Sequence, residues 1–459
     1  MCYVVQRGMQ FVSMPVFTRI MLPEEYGIYT TFMSWTNLFS IFTSLGIYGN
    51  VFNKAMIKFE NERAEYISSV QWLTILCVCI FAFPSILLNA YKISILDIQN
   101  HHLYLLIIYL AFFPTLQYWY QAQRFEFKYK ALVSTTLFIS LSNIIFGILS
   151  VFLVKEKGTA LIITNVFVQT IVGVILFIKI AVKGKVLYKR YYWNWSLKLA
   201  LPLIPSSLAE ILLGHADRIM IRYMCNASMA AIYTTVYQIS MVATILRMGI
   251  NGAYIPWLYY ALRNKAYQSI QNVIKIIILL FGGITISVML LGPELMKFVA
   301  PKSYYEAVVD IPAIMLGCFF VSIYYLFEQI EFFYEKVFFS SFVSVIGAII
   351  NIILNAICIK SMGYLAAGYT TMFTYGLMAI IHSCYVLYLG KKYNKLICFF
   401  DFRYIIRISG MLIMLGMSCI ALYKLVSVIR ILIVLLLGLF VYVNRDKIKK
   451  YLKTFRNIP

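Results

Sequence analysis

Apolar stretches of about twenty residues, each long enough to cross a hydrocarbon core of ~30 Å as a helix, recur from one end of this chain to the other. They fall at residues 1–21, 28–52, 67–89, 102–123, 131–154, 159–182, 200–224, 231–258, 273–293, 310–331, 337–359, 363–388, 404–423 and 427–443. A backbone in lipid has no water to bond with, so it closes its hydrogen bonds within helices or a sealed barrel, and stretches of this length select helices. The expected fold class is an all-α polytopic membrane protein with about fourteen transmembrane helices. Composition agrees: 13% of residues are charged, against about 25% in soluble domains.

The formal net charge of +22 would suit a nucleic-acid partner on a soluble chain. Here the basic residues cluster in alternate connections, such as Lys54, Lys58 and Arg63 or Arg124, Lys128 and Lys130, and in the tail from Arg445 to Arg456. The intervening connections hold fewer than half as many, so the positive-inside rule puts both termini in the cytoplasm and removes nucleic acid from the expected partners. The nine cysteines lie mostly in apolar segments, and Cys77-Val78-Cys79 lacks metal-ligand spacing, so no disulfide or metal site is expected. No cleavable signal peptide is evident in the first apolar stretch. No outer connection is long enough to fold as a catalytic domain, and no enzymatic activity is expected.

Two stretches resemble each other. Arg19-Ile20-Met21, Ile28-Tyr29-Thr30-Thr31 and Gly46-Ile47-Tyr48-Gly49 recur in order as Arg218-Ile219-Met220, Ile232-Tyr233-Thr234-Thr235 and Gly249-Ile250-Asn251-Gly252. The copies start at the first and seventh helices, so both enter from the same side and the repeat is parallel. The organisation expected is an N-lobe over residues 1–182 (helices 1–6), a C-lobe over 183–388 (helices 7–12) introduced by a basic loop at 183–198, and helices 13–14 with a basic cytoplasmic tail over 389–459. Two parallel six-helix lobes with a cavity between them, plus two C-terminal helices, follow from that division.

Pro15-Val16-Phe17-Thr18-Arg19-Ile20-Met21-Leu22-Pro23-Glu24-Glu25-Tyr26-Gly27-Ile28-Tyr29 resembles the opening signature of the polysaccharide-biosynthesis flippases. These are the Wzx-like transporters of O-antigen and capsule repeat units, in the superfamily that also holds lipid II flippases and multidrug exporters. Leu201-Pro202-Leu203-Ile204-Pro205 with Asp217-Arg218 resembles the family's seventh helix, and Ile255-Pro256-Trp257-Leu258 the end of its eighth. The resemblance implies alternating-access transfer of an undecaprenyl-type, pyrophosphate-linked oligosaccharide from the inner to the outer leaflet of a bacterial inner membrane. It also implies a groove for the lipid tail along helices 13 and 14, and polymerase and chain-length proteins as possible pathway partners. Members usually carry a further stretch before the equivalent of Val4, which places the expected start of the protein upstream of Met1.

Moving a diphosphate through hydrocarbon requires fixed positive charge in a wet cavity, and arginine supplies a planar fork that binds phosphate oxygens in pairs. Arg7, Arg19, Arg218 and Arg247 stand within apolar helices. At ~1.5 Å per residue Arg7 is roughly 18 Å inward of Arg19, and Arg247 roughly 22 Å inward of Ile232. Arg7 and Arg247 are therefore the candidate pyrophosphate clamp, one on each lobe. Arg19, Asp217 and Arg218, nearer the outer rim, are candidates for a gate or a structural ion pair. Glu210, about two turns from Asp217 on the same face, is the candidate counter-ion or the group coupling transport to a proton or sodium gradient. Glu328 and Glu331, near the inner end of helix ten, are expected to be solvated. The glycines at 46, 49, 249 and 252 are read as bends or close helix approaches.

The alternatives are a multidrug or organic-cation antiporter of the same fold and a membrane glycosyltransferase or polymerase. An exporter of cations needs carboxylates in its cavity, whereas the first lobe offers Arg7 and Arg19. A transferase needs an acid-rich loop for metal or sugar nucleotide, and none is present in the sequence.

Overall fold

The structure, a computed structural model, describes residues 2–90, 100–393, 399–424 and 427–443. Among them no strand occurs. The long helices are α1 (Cys2–Ile20), α2 (Pro23–Ser44), α3 (Arg63–Ala90), α4 (Asn100–Phe125), α5 (Tyr129–Leu153), α6 (Lys157–Gly184) and α7 (Arg190–Met224). They continue with α8 (Ala227–Arg263), α9 (Tyr267–Leu290), α10 (Lys302–Phe333), α11 (Val337–Met362), α12 (Ala366–Tyr393), α13 (Phe402–Leu422) and α14 (Ser427–Val443). Each expected span overlaps one of these helices, although α2 ends at Ser44, short of the expected 52. Length and apolarity alone qualify 11 of them, α3 to α13, to cross a membrane; α1 and α14 have 19 and 17 residues, and α2 is rich in Ser and Thr.

Proline sets several helix ends. Pro23 lies in the first turn of α2 and Pro312 in the first turn of the regular part of α10, Ile311–Phe333, which follows a 3-10 stretch over Lys302–Asp310; a missing N–H costs nothing at either place. Pro202 and Pro205 interrupt α7, and the chain crosses the break as a 3-10 turn over Leu201–Leu203. Ahead of the break the expected basic loop 183–198 is corrected: residues Arg190–Ala200 are helical. Aromatic packing supplies the reason. Tyr192 is fully buried, Tyr66 donates to or accepts from Ser196 at 2.8 Å, Trp193 Nε1 donates to the Ser69 carbonyl at 3.0 Å, and Lys189 Nζ meets Glu62 at 3.0 Å. The basic residues of this segment decorate a packed amphipathic turn rather than a free loop.

The chain forms two compact units, 1–231 and 232–459, with α8 passing from one to the other. In the first, α2, α4 and α6 share an apolar core of Phe32, Leu103, Leu106, Tyr109, Leu110, Ile162 and Val166. The α7 segment Ile204–Met224 packs along α2 in the same unit. In the second, α10 and α12 are the central pair, with α11 on α12 and α9 and α13 on α10. Packing decides these groupings, whereas the expected lobes at 182/183 are a statement about sequence recurrence. The turns after α4 and α10 are built alike, with Lys128 N bonded to the Gln123 carbonyl at 2.8 Å and Lys336 N to the Glu331 carbonyl at 2.9 Å, and the turn after α8 repeats the pattern with Ala266 N on the Ala261 carbonyl at 2.9 Å. Phe127 and Glu335 take the left-handed conformation that such a six-residue closure demands.

The opening signature is a packing junction. Glu25 accepts from Leu22 N at 2.8 Å and so caps α2, while Lys157 Nζ reaches the Ile20 carbonyl at 3.0 Å. A Cβ at Gly27 would stand 1.9 Å from the Ala227 carbonyl oxygen, and one at Gly158 would stand 2.6 Å from that of Glu25. Of the repeat's glycines, Gly46 has φ 62° and turns the chain after α2. Gly49, Gly249 and Gly252 have no atom within 4 Å of a built Cβ, so close approach is not their role in this conformation.

At the far end of the second unit, Arg430 of α14 is 2% exposed. It pairs with Glu294 and donates to the Leu422 and Tyr423 carbonyls at 3.2 and 2.9 Å. Arg430→Ala should lower stability by about 1–2 kcal/mol, less than for a fully buried pair because Glu294 is partly solvated. Thermal unfolding of the detergent-purified protein measures it. An unchanged midpoint would mean that this contact does not hold α14.

Candidate functional site

Arg247 lies on α8 seven residues after Ser240, where the helix is interrupted. One face of this stretch, with Tyr254, Trp257 and Leu258, is buried in the second unit. The opposite face, with Met248, Gly249, Gly252 and Pro256, is exposed, and no atom of the described residues comes within 4 Å of a Cβ built on either glycine. Arg247 stands at the margin of these faces and is half-buried, its guanidinium 4.2 Å from the centroid of the Tyr325 ring. No carboxylate pairs with it among the described residues. The ring lends partial compensation through its quadrupole and leaves the N–H donors without an anionic partner.

The other candidates are differently placed. The side chain of Arg7, the other member of the expected clamp, lies outside the described residues, as does the basic tail beyond Val443. Arg19 is exposed and donates to the Pro15 carbonyl at 2.8 Å on its own helix. Arg218 is 6% exposed and folds back onto α7, donating to the Gly214 carbonyl at 2.5 Å with His215 Nδ1 at 3.0 Å. Asp217 is buried beside it. Glu210 is exposed on α7. The two arginines that recur in the sequence repeat therefore have unlike environments, one at the surface and one in the core.

Sequence reasoning missed the most deeply buried ionisable pair. Glu331 and His382, expected and overlooked respectively as a solvated acid and an ordinary helix residue, are both fully buried, with Glu331 Oε1 2.8 Å from His382 Nδ1. Glu328, also expected in solvent, is 8% exposed and accepts from Ser340. The expectation of solvation is corrected because α10 is surrounded by α9, α11, α12 and α13, so position near a helix end gives no access to water. On α11 and α12, Asn351 Nδ2 donates to Thr371 at 3.2 Å and Asn355 Nδ2 to Asn351 at 3.1 Å. These amides satisfy one another inside the unit as interhelical polar contacts.

The architecture has known counterparts. A lipid II flippase, MurJ, in an inward closed conformation superposes with a TM-score of 0.69 at 16% identity, covering 97% of this chain and 98% of that one. An inward-facing multidrug-resistance MATE transporter of the MOP superfamily gives 0.64 at 12% identity, over 84% and 96%. A MOP superfamily transporter from Pyrococcus furiosus, described by the reversed polarity of its binding pocket, gives 0.55 at 11%, over 84% and 93%. At such identities the likeness shows the fold. No curated protein matches the sequence. The family model described as polysaccharide biosynthesis protein matches residues 1–261. With more than half of its length matched, and with the signature at residues 15–29 forming a defined junction in the fold, the chain belongs to the polysaccharide biosynthesis protein family.

Proposed function

We propose that this multi-pass membrane protein is a flippase for a polyprenyl-diphosphate-linked oligosaccharide, moving the repeat unit of a surface polysaccharide such as O-antigen, capsule or exopolysaccharide from the inner to the outer leaflet of the bacterial inner membrane. The observation that carries the reading is Arg247: a fixed cation within a spanning helix, half-buried at the margin of an open face, held by an aromatic ring and free of any carboxylate among the described residues. Ionisable groups at membrane depth are kept where function needs them, and an arginine without an acid is suited to an anion. A transporter of organic cations would place a carboxylate there. Membership of the polysaccharide biosynthesis family and the fold shared with a lipid II flippase support the lipid-linked substrate. Arg7 is the second cation of the clamp in this reading, and both termini are cytoplasmic.

The test is reconstitution. Protein in liposomes loaded with a fluorescent undecaprenyl-diphosphate-linked oligosaccharide should move the label to the opposite leaflet, read by a membrane-impermeant quencher or lectin. Organic-cation dyes should not be transported. Movement of the dyes with no movement of the lipid would overturn the reading.

A further inference from the structure

The second unit holds an unbroken line of groups from the candidate anion-binding cation to the buried ionisable pair. Arg247 lies over the Tyr325 ring at 4.2 Å. Tyr325 stacks on Tyr324 at 4.7 Å with 21° between planes. Tyr324 in turn stacks on the His382 imidazole at 5.4 Å and 15°. His382 Nδ1 meets Glu331 Oε1 at 2.8 Å, while His382 Nε2 and Glu331 Oε2 have no partner among the described residues. A structural pair would be expected to satisfy those buried atoms. We propose that Glu331 and His382 form a proton-binding site whose occupancy is linked through the Tyr324–Tyr325 stack to the binding of a diphosphate at Arg247.

The proton balance is simple. With one proton shared, the pair is neutral overall, as carboxylate with imidazolium or carboxylic acid with imidazole. When that proton leaves, a net charge of −1 remains in a dry interior, facing the same aromatic stack that cradles Arg247. That charge opposes an incoming anion. Across the successive steps of 4.2, 4.7 and 5.4 Å that make up the stack, at an effective dielectric of ~20, one unit charge changes anion affinity by roughly five- to tenfold. The loaded pair therefore favours the diphosphate, affinity falls as pH rises, and by reciprocity diphosphate binding draws a proton onto the pair.

Other groups face the pair and fix what the test must separate. Glu328 on α10 is one turn away and bonded to Ser340. Tyr385 on α12 lies within electrostatic reach of both Glu331 and Lys336 of the α10–α11 turn. Tyr259 of α8 is near Glu328, and on the α9 and α13 side Lys275 is neutralised by Asp401 at 2.9 Å. Of these, Glu328 is the one acid able to mimic the effect, and it serves as the control.

The inference rests on the reading of Arg247 as the anion-binding group. Calorimetry on the full chain in nanodiscs, with farnesyl-diphospho-N-acetylglucosamine as probe, measures affinity between about pH 5.5 and 8 and, from buffers of different ionisation heat, the protons taken up. The probe is a diphosphate diester whose charge is constant over this range. Wild type should bind roughly five- to tenfold more weakly at the upper end and take up a substantial fraction of one proton. E331Q and H382Q should each bind with no pH slope and no proton uptake, E328Q should behave as wild type, and R247A should bind at no pH. Wild-type binding without proton exchange overturns the inference whether or not any variant folds, and so does a wild-type slope in E331Q. If R247A loses binding while E331Q keeps the slope, the reading of Arg247 stands and the linkage alone falls. If R247A binds like wild type, the reading of Arg247 falls and takes the linkage with it.

Discussion

Arg247→Ala is expected to abolish surface polysaccharide in cells that depend on this protein, while the protein still reaches the membrane at its normal level. The reasoning begins from what the side chain does for the fold, which is little. It contacts one aromatic ring, makes no ion pair among the described residues, and borders an open face. Removing it leaves no buried acid stranded, so folding should change by about 1–2 kcal/mol, the range between an exposed and a desolvated cation–π contact. Its effect on a bound diphosphate is larger. Loss of one partner in a desolvated charge pair costs about 2–5 kcal/mol, or roughly thirtyfold to several thousandfold in affinity. Arg247→Lys should recover part of this because charge remains while the two-pronged geometry is lost. Tyr325→Phe should have a smaller effect than Arg247→Ala, because the ring remains while the hydroxyl that bonds Arg247 is lost. Arg7→Ala should match Arg247→Ala if the two cations act on the same diphosphate. Complementation of a deletion strain, with membrane protein quantified by blot, provides the measurement. Normal polymer in Arg247→Ala would end the assignment of this residue to substrate binding.

Helix periodicity was unnecessary for reading most of this fold, because hydrocarbon forces any stretch of sufficient length to become helical. That is why the positions of the long helices were legible and why Arg247, a lone charge in an apolar run, stood out. Features made by contact between distant segments were not legible. Glu331 and His382 are 51 residues apart, and only the packing of α10 against α12 joins them. Glu331 lies two residues from the end of its helix, a position that suggests water, yet helices pack around it. The pair of Arg430 with Glu294 is of the same kind, its members 136 residues apart in the sequence. Residues 190–200 looked like a basic linker because net charge was read without the pattern of Tyr192, Trp193 and Trp195, which insert between helices. The repeat showed a third limit. It flagged Arg19 and Arg218 as equivalents, while burial distinguishes them, since shared ancestry preserves sequence more readily than environment.

Gly27→Val tests the opening signature as a packing device rather than a binding motif, and its expected result is failure to accumulate as folded protein. A Cβ at this position meets the Ala227 carbonyl carbon at 2.5 Å as well as the oxygen at 1.9 Å. Both are backbone atoms in the first turn of α8, so no side-chain rotation can relieve the overlap. Either α2 or the start of α8 must move, and the Tyr26 side chain beside Gly27, 4% exposed, leaves α2 little room to do so. Overpacking that displaces backbone exceeds the usual penalty of about 1–3 kcal/mol, a large share of the 5–15 kcal/mol that holds a typical domain together. Gly49→Ala and Gly249→Ala provide the contrast. Each places a Cβ on a helix where nothing lies within 4 Å of it, so each should be neutral or stabilising by about 0.5–1 kcal/mol through lower backbone entropy in the unfolded chain. Fluorescence size-exclusion profiles and melting midpoints of the three variants decide the matter. If Gly27→Val melts with wild type, the junction of α2 with the start of α8 is not part of the resting structure, and the glycine in the signature has to be explained by another conformation.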